Sequence, residues 1–535
     1  MESLGPVGQL LEERAGAVPH RIFLAHGSSQ YSYEEVNALA GAAARGFQRL
    51  EVRRGERVAV MLPNCAEYVF LWLGLVKLGA LPVGVNAEYK SAGLVHLLRT
   101  SGARVMVLHA AYVDRLAAIA DQLSSLGTVI VLGAPAADVP RLAGIDVLDA
   151  DELLEQEPPL SAEDVGPGEP LMAVFTSGTT GPPKAIEVSH GFALQFVRER
   201  IEHLGLDERD VFYSPYPFSY ADTPICTLLV AMALGAKAVL GTKFSARTFW
   251  GEIRAHGVTS FMLIGALAEI LLKAPPKSDD ANNPARIAVV VPALSSASAF
   301  EERFGMRLVE LYGATECGEV AWTPLDEPRR PGSSGRVCDH HEVRILGDDD
   351  VEQPPGVVGE IVVRPRVPHG FMDGYLDNQD ATREVCRNLW YRTGDLGYVD
   401  ADNWLYFVER RTDSLRVRGR NIASYEIETI MCNHPAIAGV GVVGVPSELS
   451  EDDIKLVIVP TAPGALRVDD VLEFSREHLA RYMVPRYVEF KAELPLTSNG
   501  KVNKAVLRAD WRTASTYDVE SRTYLRDDEP TRAHT

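Results

Sequence analysis

Residues 171–184 read LMAVFTSGTTGPPK, an apolar run that breaks into a loop of glycine and hydroxyl residues and ends on a lysine. The run Leu171–Phe175 has the short, wholly apolar character of a strand buried on both faces. In the loop, Gly178 and Gly181 let the backbone turn tightly and approach an anion closely. Thr176, Ser177, Thr179 and Thr180 offer hydroxyl donors, and Lys184 adds a compact positive charge. A strand feeding such a loop has the parts of a polyphosphate cradle. A plain flexible loop is the competing reading of any Gly/Ser/Thr run; the strand before it and the lysine after it favour the cradle. The order is not G-x-x-x-x-G-K-[ST], which excludes a P-loop kinase or ATPase.

Outward from this stretch, short apolar runs alternate with helical patterns. Arg57–Leu62 (RVAVML), Ala103–His109 and Thr128–Gly133 read as strands, with helices from Cys65 and over Val113–Ser124 between them. The pattern resumes at Ala236–Gly241, Val258–Leu263 and Arg286–Val291. Buried strands joined by crossover helices predict parallel sheet. From about residue 330 the texture changes to β segments punctuated by glycine and proline, such as Gly359–Arg364 (GEIVVR). Beyond Asp413 a smaller set follows: a helix near Tyr425–Asn433, strands Val440–Val445 and Lys455–Val459, a helix Val468–Arg481 and a strand Tyr487–Lys491. The last thirty residues are charged and unpatterned and read as a loose tail. No internal repeat is visible.

The chain has 535 residues, 46% hydrophobic and 24% charged, in the range of a globular protein of two to four folding units. Lysine and arginine number 53 against 73 acidic residues, a net charge of −20. That sign repels phosphate backbones and anionic lipid, so nucleic acid and membrane surface are excluded as expected partners. The six cysteines (65, 226, 317, 338, 386 and 432) form no C-x-x-C pair, so neither a zinc site nor a disulfide framework is indicated. The most apolar stretch, Tyr68–Val85, is interrupted by Lys77 and Pro82 and reads as a buried helix and turn rather than a membrane span. The start MESLGPVGQLLEERAG carries no secretory pattern. A soluble, cytoplasmic protein with reduced thiols is the expectation.

TSGTTGPPK resembles the signature of the adenylate-forming enzymes, the superfamily of acyl-CoA synthetases, carrier-protein adenylation domains and luciferases. Four further segments arrive in that family's order: YGATE (Tyr312–Glu316), YRTGDLG (Tyr391–Gly397), RTDSLRVRGRN (Arg411–Asn421) and LTSNGK (Leu496–Lys501). Within the family, RGRNIASYEIE and KFSARTFW look most like the carnitine/crotonobetaine-type CoA ligases. The resemblance covers nearly the whole chain. It implies an α/β fold: a large N-terminal body (1–412) of parallel-rich sheets and helices plus a β-barrel-like part, then a small mobile α+β C-terminal lid (413–505), leaving 506–535 as the charged tail. It implies an AMP-forming acid–CoA ligase that uses ATP, Mg²⁺ and CoA.

The resemblance also implies roles. Thr176, Ser177, Gly178, Thr179, Thr180, Gly181 and Lys184 would hold the polyphosphate. Tyr312 and Gly313 would frame the nucleotide, Thr315 would reach the α-phosphate and Glu316 would hold the magnesium, a hard cation that prefers oxygen. Asp395 has the chemistry to accept from both ribose hydroxyls, and Arg411 resembles the arginine that touches ribose or phosphate. Lys501 would bridge the attacking oxyanion and the α-phosphate, Asp413 would be the hinge, and Gly419 would line the route for a thiol.

Two segments depart from the family. The region near the acyl pocket reads PYPFSYADTP (Pro215–Pro224) without the usual histidine, and the segment against adenine reads VVPALSSAS (Val290–Ser298). The expected pocket therefore contains Phe218, Ser219, Tyr220, Asp222 and Gly313; Tyr220 and Asp222 either meet a polar acid, an amine among the candidates, or cap the following helix. Three alternatives stay open: activation of another oxyanion such as nitrite with transfer to an aryl amine (a diazo-forming reaction of natural-product biosynthesis), a stand-alone adenylation domain serving a carrier protein, and a non-catalytic binding protein. A homodimer is also open.

Overall fold

The apolar runs pair largely as their composition predicts. The computed structural model describes residues 4–142, 144–155, 158–176, 183–291, 294, 296–411, 415–417, 420–422, 424–447, 452–479, 483–496 and 502–525. One body sheet orders its strands as Gly374–Tyr375, Lys184–Ser189, Pro170–Thr176, Leu81–Gly84, Arg57–Met61, Val105–His109, Thr128–Leu132 and Asp146–Asp149. Its pairings are parallel from Pro170–Thr176 onward, while Lys184–Ser189 returns antiparallel, as a strand joined by a short loop must. The run expected to be a buried helix is one: Ala66–Lys77 is apolar all round, and its terminal Lys77 is buried against Glu12. No helix among the described residues is long and apolar enough to cross a membrane.

The second body sheet is parallel through Lys237–Leu240, Val211–Ser214, Ser260–Ile264, Ile287–Val291 and Arg307–Ala314. It then continues without a break into antiparallel strands: Gly318–Trp322, Gly335–Val337, Trp404–Arg410, Trp390–Val399, Gly359–Pro365 and His341–Leu346. This is where the barrel-like part was expected. Among the described residues the strands form an open path rather than a closed barrel, because Gly318–Trp322 hairpins back onto Arg307–Ala314 and ties them to the parallel sheet. Gly335 permits one tight junction: its φ is +111°, and a Cβ there would lie 2.0 Å from the Trp322 carbonyl carbon.

The C-terminal unit builds a sheet ordered Ile437–Pro446, Asp452–Pro460, Tyr487–Phe490, Thr516–Asp518 and Thr523–Tyr524, with helices Ser424–Met431 and Val468–His478. The tail expected after residue 505 is thus folded as far as it is described. Helix Lys504–Ala509 and two short strands extend the C-terminal unit, held there by the buried Lys455–Glu489 ion pair that the tail covers.

Candidate active site

Sheet pairing and one hairpin bring described residues of three quoted motifs together: Thr176 and Lys184, Tyr312–Glu316, and Asp395. Thr176 and Lys184 are direct partners across the antiparallel pair, and the Thr176 hydroxyl donates to the Lys184 carbonyl at 3.3 Å. The glycine-rich stretch is therefore the connection between two adjacent body strands; Ser177, Gly178, Thr179, Thr180 and Gly181 lie outside the described residues. The Lys184 ammonium stands 5.0 Å from the centroid of the Tyr375 ring. The Tyr375 hydroxyl in turn donates to Glu316 Oε1 at 3.1 Å. One aromatic residue thus links the cradle lysine to the candidate metal carboxylate.

Glu316 sits in the turn between Arg307–Ala314 and Gly318–Trp322, with part-buried Thr315 beside it. Gly313 has to be glycine: a Cβ would lie 2.4 Å from the Gly318 carbonyl oxygen, closing the hairpin. Burial pushes the Glu316 carboxyl up, opposed by donors that include Tyr375. No group of three potential ligands occurs among the described residues. A single part-buried carboxylate, disfavoured as an anion and with no cage of further ligands among the described residues, fits Mg²⁺ that arrives with phosphate oxygens already in its shell.

Asp395 is 4% exposed in strand Trp390–Val399, and three interactions fix it. The Tyr312 hydroxyl donates to Oδ2 at 2.7 Å, Arg410 Nε lies 2.7 Å from Oδ1, and the Asp395 amide donates to the Thr393 hydroxyl at 3.0 Å. The arginine beside Asp395 is Arg410, not Arg411. Asp395 and Arg410 are register partners, so their side chains share a face. The expected Arg411 is one residue further on, and it pairs with Glu360 at 3.1 Å and Asp348 at 3.4 Å instead.

Near the loop, Gly84, Asn86, Tyr89, Phe175, Thr176, Ser219 and Tyr220 line a small pocket. Tyr220 OH accepts from Asn86 Nδ2 at 2.8 Å. Phe218, expected in this pocket, is in the core instead, with ring centroids 4.7 Å from Tyr68 and 5.7 Å from Trp72. Its neighbour Ser219 takes the pocket side. Asp222 opens a π-helical run, Asp222–Leu229, whose N-terminus has no side-chain cap, so the helix-capping reading fails for it. Lys501, Asp413 and Gly419 lie outside the described residues.

Sequence reasoning missed Arg410, Tyr375 and Asn86. A strand-alternation argument from Asp395 could have found the first; Tyr375 and Asn86 carry no local signal, being brought in by sheet pairing alone.

The AMP-binding enzyme family profile matches residues 11–376, and the AMP-binding enzyme C-terminal domain profile matches residues 426–501. The crotonobetaine/carnitine–CoA ligase of Salmonella arizonae is 31% identical over 508 residues, covering 93% of this chain and 95% of the relative. The solved structure of anthranilate CoA ligase AuaEII in complex with anthranoyl-AMP matches with a TM-score of 0.84 at 25% identity, over 95% of this chain and 97% of its own. The o-succinylbenzoate coenzyme A synthetase of Bacillus subtilis, in complex with ATP and magnesium ion, has a TM-score of 0.79 at 23% identity over 93% and 98% of the two chains, a likeness of fold.

Proposed function

Because this chain belongs to the AMP-binding enzyme family and is an AMP-forming ligase, we propose that it activates a small organic acid with ATP and passes the acyl group to coenzyme A. In the first half-reaction a carboxylate oxygen bonds to the α-phosphorus and pyrophosphate leaves. In the second, the CoA sulfur bonds to the acyl carbon and AMP leaves. The observation that supports this reading best is the meeting of Tyr312, Asp395 and Arg410, a buried carboxylate fixed on two sides with chemistry suited to ribose hydroxyls.

In this reading Asp395 accepts from the ribose hydroxyls, and Arg410 holds that carboxylate in place. Thr176 to Lys184 cradle the polyphosphate, and Thr315 reaches the α-phosphate. Glu316 would hold Mg²⁺, which when bound neutralises charge on the phosphate oxygens. Lys501 stabilises charge as it moves from the attacking oxygen to the phosphate. Residues 1–412 act as the body, and the unit from residue 413 acts as a lid hinged at Asp413 that also carries Gly419. The folded tail up to residue 525 belongs with this lid.

A pyrophosphate-release assay over a panel of acids and nitrite, with and without CoA or aryl amines, tests the reading. Acid-dependent release and CoA-dependent thioester are expected, and Lys501→Ala should lose release while retaining ATP binding. Release driven by nitrite plus an aryl amine, indifferent to CoA, would replace the acid–CoA reading with diazo formation. Thioester formed only on a carrier protein would replace it with stand-alone adenylation.

A further inference from the structure

Helix His190–Leu204 packs against both the Asp222–Leu229 run, which follows Ser219 and Tyr220 in the chain, and strand Gly318–Trp322. Four charged side chains gather there: Glu199 and Arg200 from the helix, Asp222 from the π-helical run and Glu319 from the strand. Arg200 is ion-paired with Glu319 Oε1, both residues being almost wholly buried. Glu199 accepts from Gln195 Nε2 at 3.0 Å. Glu319 is 3% exposed, and its second oxygen, Oε2, is buried with no hydrogen-bond partner among the described residues. Asp222 makes no hydrogen bond or ion pair with any described residue, and feels Arg200 only at longer range.

One guanidinium therefore serves the carboxyls of both Glu319 and Asp222, with one buried acceptor orphaned and one carboxylate unpaired. Buried acceptors and buried charges are costly unless matched. Burial raises Glu319, Glu199 and Asp222, with Arg200 opposing at Glu319 and Asp222, as expected for carboxyls short of positive partners. Glu319 is the ladder partner of Gly313, which places the cluster on the second arm of the nucleotide hairpin. Asp222 is two residues from Tyr220, which lines the pocket beside Thr176. The cluster thus borders the region where an acid would extend away from its reacting carboxylate.

We infer that the acid activated here carries a protonated amine with at least one N–H, remote from its carboxylate, received by Asp222 and the unpartnered oxygen of Glu319. An orphaned acceptor calls for a hydrogen-bond donor, so a primary or secondary ammonium fits and a quaternary one does not. A second carboxylate does not fit either, because Arg200 is already neutralised by Glu319. This inference rests on the acid-activating reading above.

The test is acid-dependent ATP–pyrophosphate exchange with matched probes: γ-aminobutyrate against valerate, δ-aminovalerate against caproate, and meta-aminomethylbenzoate against meta-ethylbenzoate. Trimethylammoniobutyrate and glutarate complete the panel. At least one amine should exceed its neutral isostere by about tenfold or more in kcat/KM. Asp222→Asn should shrink that ratio to within about threefold while the melting temperature stays close to that of the parent chain. Glu319→Gln should shrink it as well; if that variant does not fold, because Arg200 loses its partner, Asp222→Asn decides alone. Neutral isosteres serving equally well, a preference for the quaternary ammonium or glutarate, or a ratio that survives Asp222→Asn would each overturn the inference and leave acid activation standing. Exchange with none of the acids would remove acid activation and this inference with it.

Discussion

Asp395 Oδ1 and Arg410 Nε lie 2.7 Å apart on residues that face each other across one antiparallel ladder, and the adjacent Arg411 turns away to Glu360. Two consecutive arginines thus have separate tasks. Removing Arg410 leaves Asp395 a buried carboxylate without its guanidinium, which disturbs both its charge and its aim. Arg410→Ala is expected to raise the KM for ATP by about tenfold or more, whereas Arg411→Ala should change it less than about threefold. Steady-state pyrophosphate release at varied ATP measures both, and equal effects would dissolve the distinction.

Tyr375 touches Lys184 with its ring and Glu316 with its hydroxyl, so two substitutions separate the contacts. Tyr375→Phe keeps the ring and removes a donor that stabilises the Glu316 carboxylate against burial. The Mg²⁺ concentration for half-maximal activity should rise by about two- to fivefold with little change in the KM for ATP. Tyr375→Leu also removes the ring beneath the lysine and should raise both. A magnesium titration at fixed ATP checks the split.

The parallel strands and the motif order were legible because long apolar runs and fixed loop chemistry are local properties. Leu171–Phe175, Arg57–Leu62 and Ile287–Val291 could be read from side chains alone. What a residue faces is not local. Arg410 and Arg411 look alike until the register with Asp395 is known, and Phe218 looks like pocket until Tyr68 and Trp72 pack on it. The barrel-like part was implied by the family resemblance; glycine and proline mark turns without saying which strands pair, so the open antiparallel path was not legible from them. Thr516–Asp518 and Thr523–Tyr524 are too short to show alternation, and so read as tail. The Arg200–Glu319 pair joins residues far apart in sequence and leaves no periodic trace.

His190 is a structural group with a defined acid sensitivity. Its Nδ1 accepts from the Val7 amide at 3.2 Å, and burial pushes its pKa down to about 4, with Glu169 opposing. The folded value lies below the unfolded one of about 6.5, so the neutral ring is what the fold stabilises. That contribution is complete above about pH 6.5 and is lost as pH falls toward about 4, a change of about 2.5 kcal/mol between pH 7 and 4.5. His341, also pushed down to about 4 by burial, acts in the same direction. In urea unfolding, His190→Gln should lose less stability over this interval than the parent chain by roughly that amount. An unchanged acid slope would mean that His190 does not titrate as buried.

The folded tail predicts a C-terminal unit that depends on residues beyond the matched C-terminal domain. Lys455 and Glu489 form a 2.6 Å ion pair with side chains 0% and 1% exposed. Lys455 Nζ donates to the Trp511 carbonyl at 2.7 Å and the Thr516 hydroxyl at 3.1 Å, while Thr513 and Ser515 donate to Glu489 at 2.8 Å each. Ending the chain after Asp510 removes all four partners and the strand that covers the pair, leaving two charges short of the hydrogen bonds that make their burial tolerable. The C-terminal unit should lose about 3 kcal/mol or more, seen as faster amide exchange in Asp452–Pro460 and Tyr487–Phe490 while the strands of the two larger sheets keep their protection. If the exposed pair is the cause, Lys455→Met combined with Glu489→Leu in the shortened chain should recover part of the loss, because apolar side chains need no such partners. Exchange rates unchanged by the truncation would show that the tail rests on the C-terminal unit without supporting it.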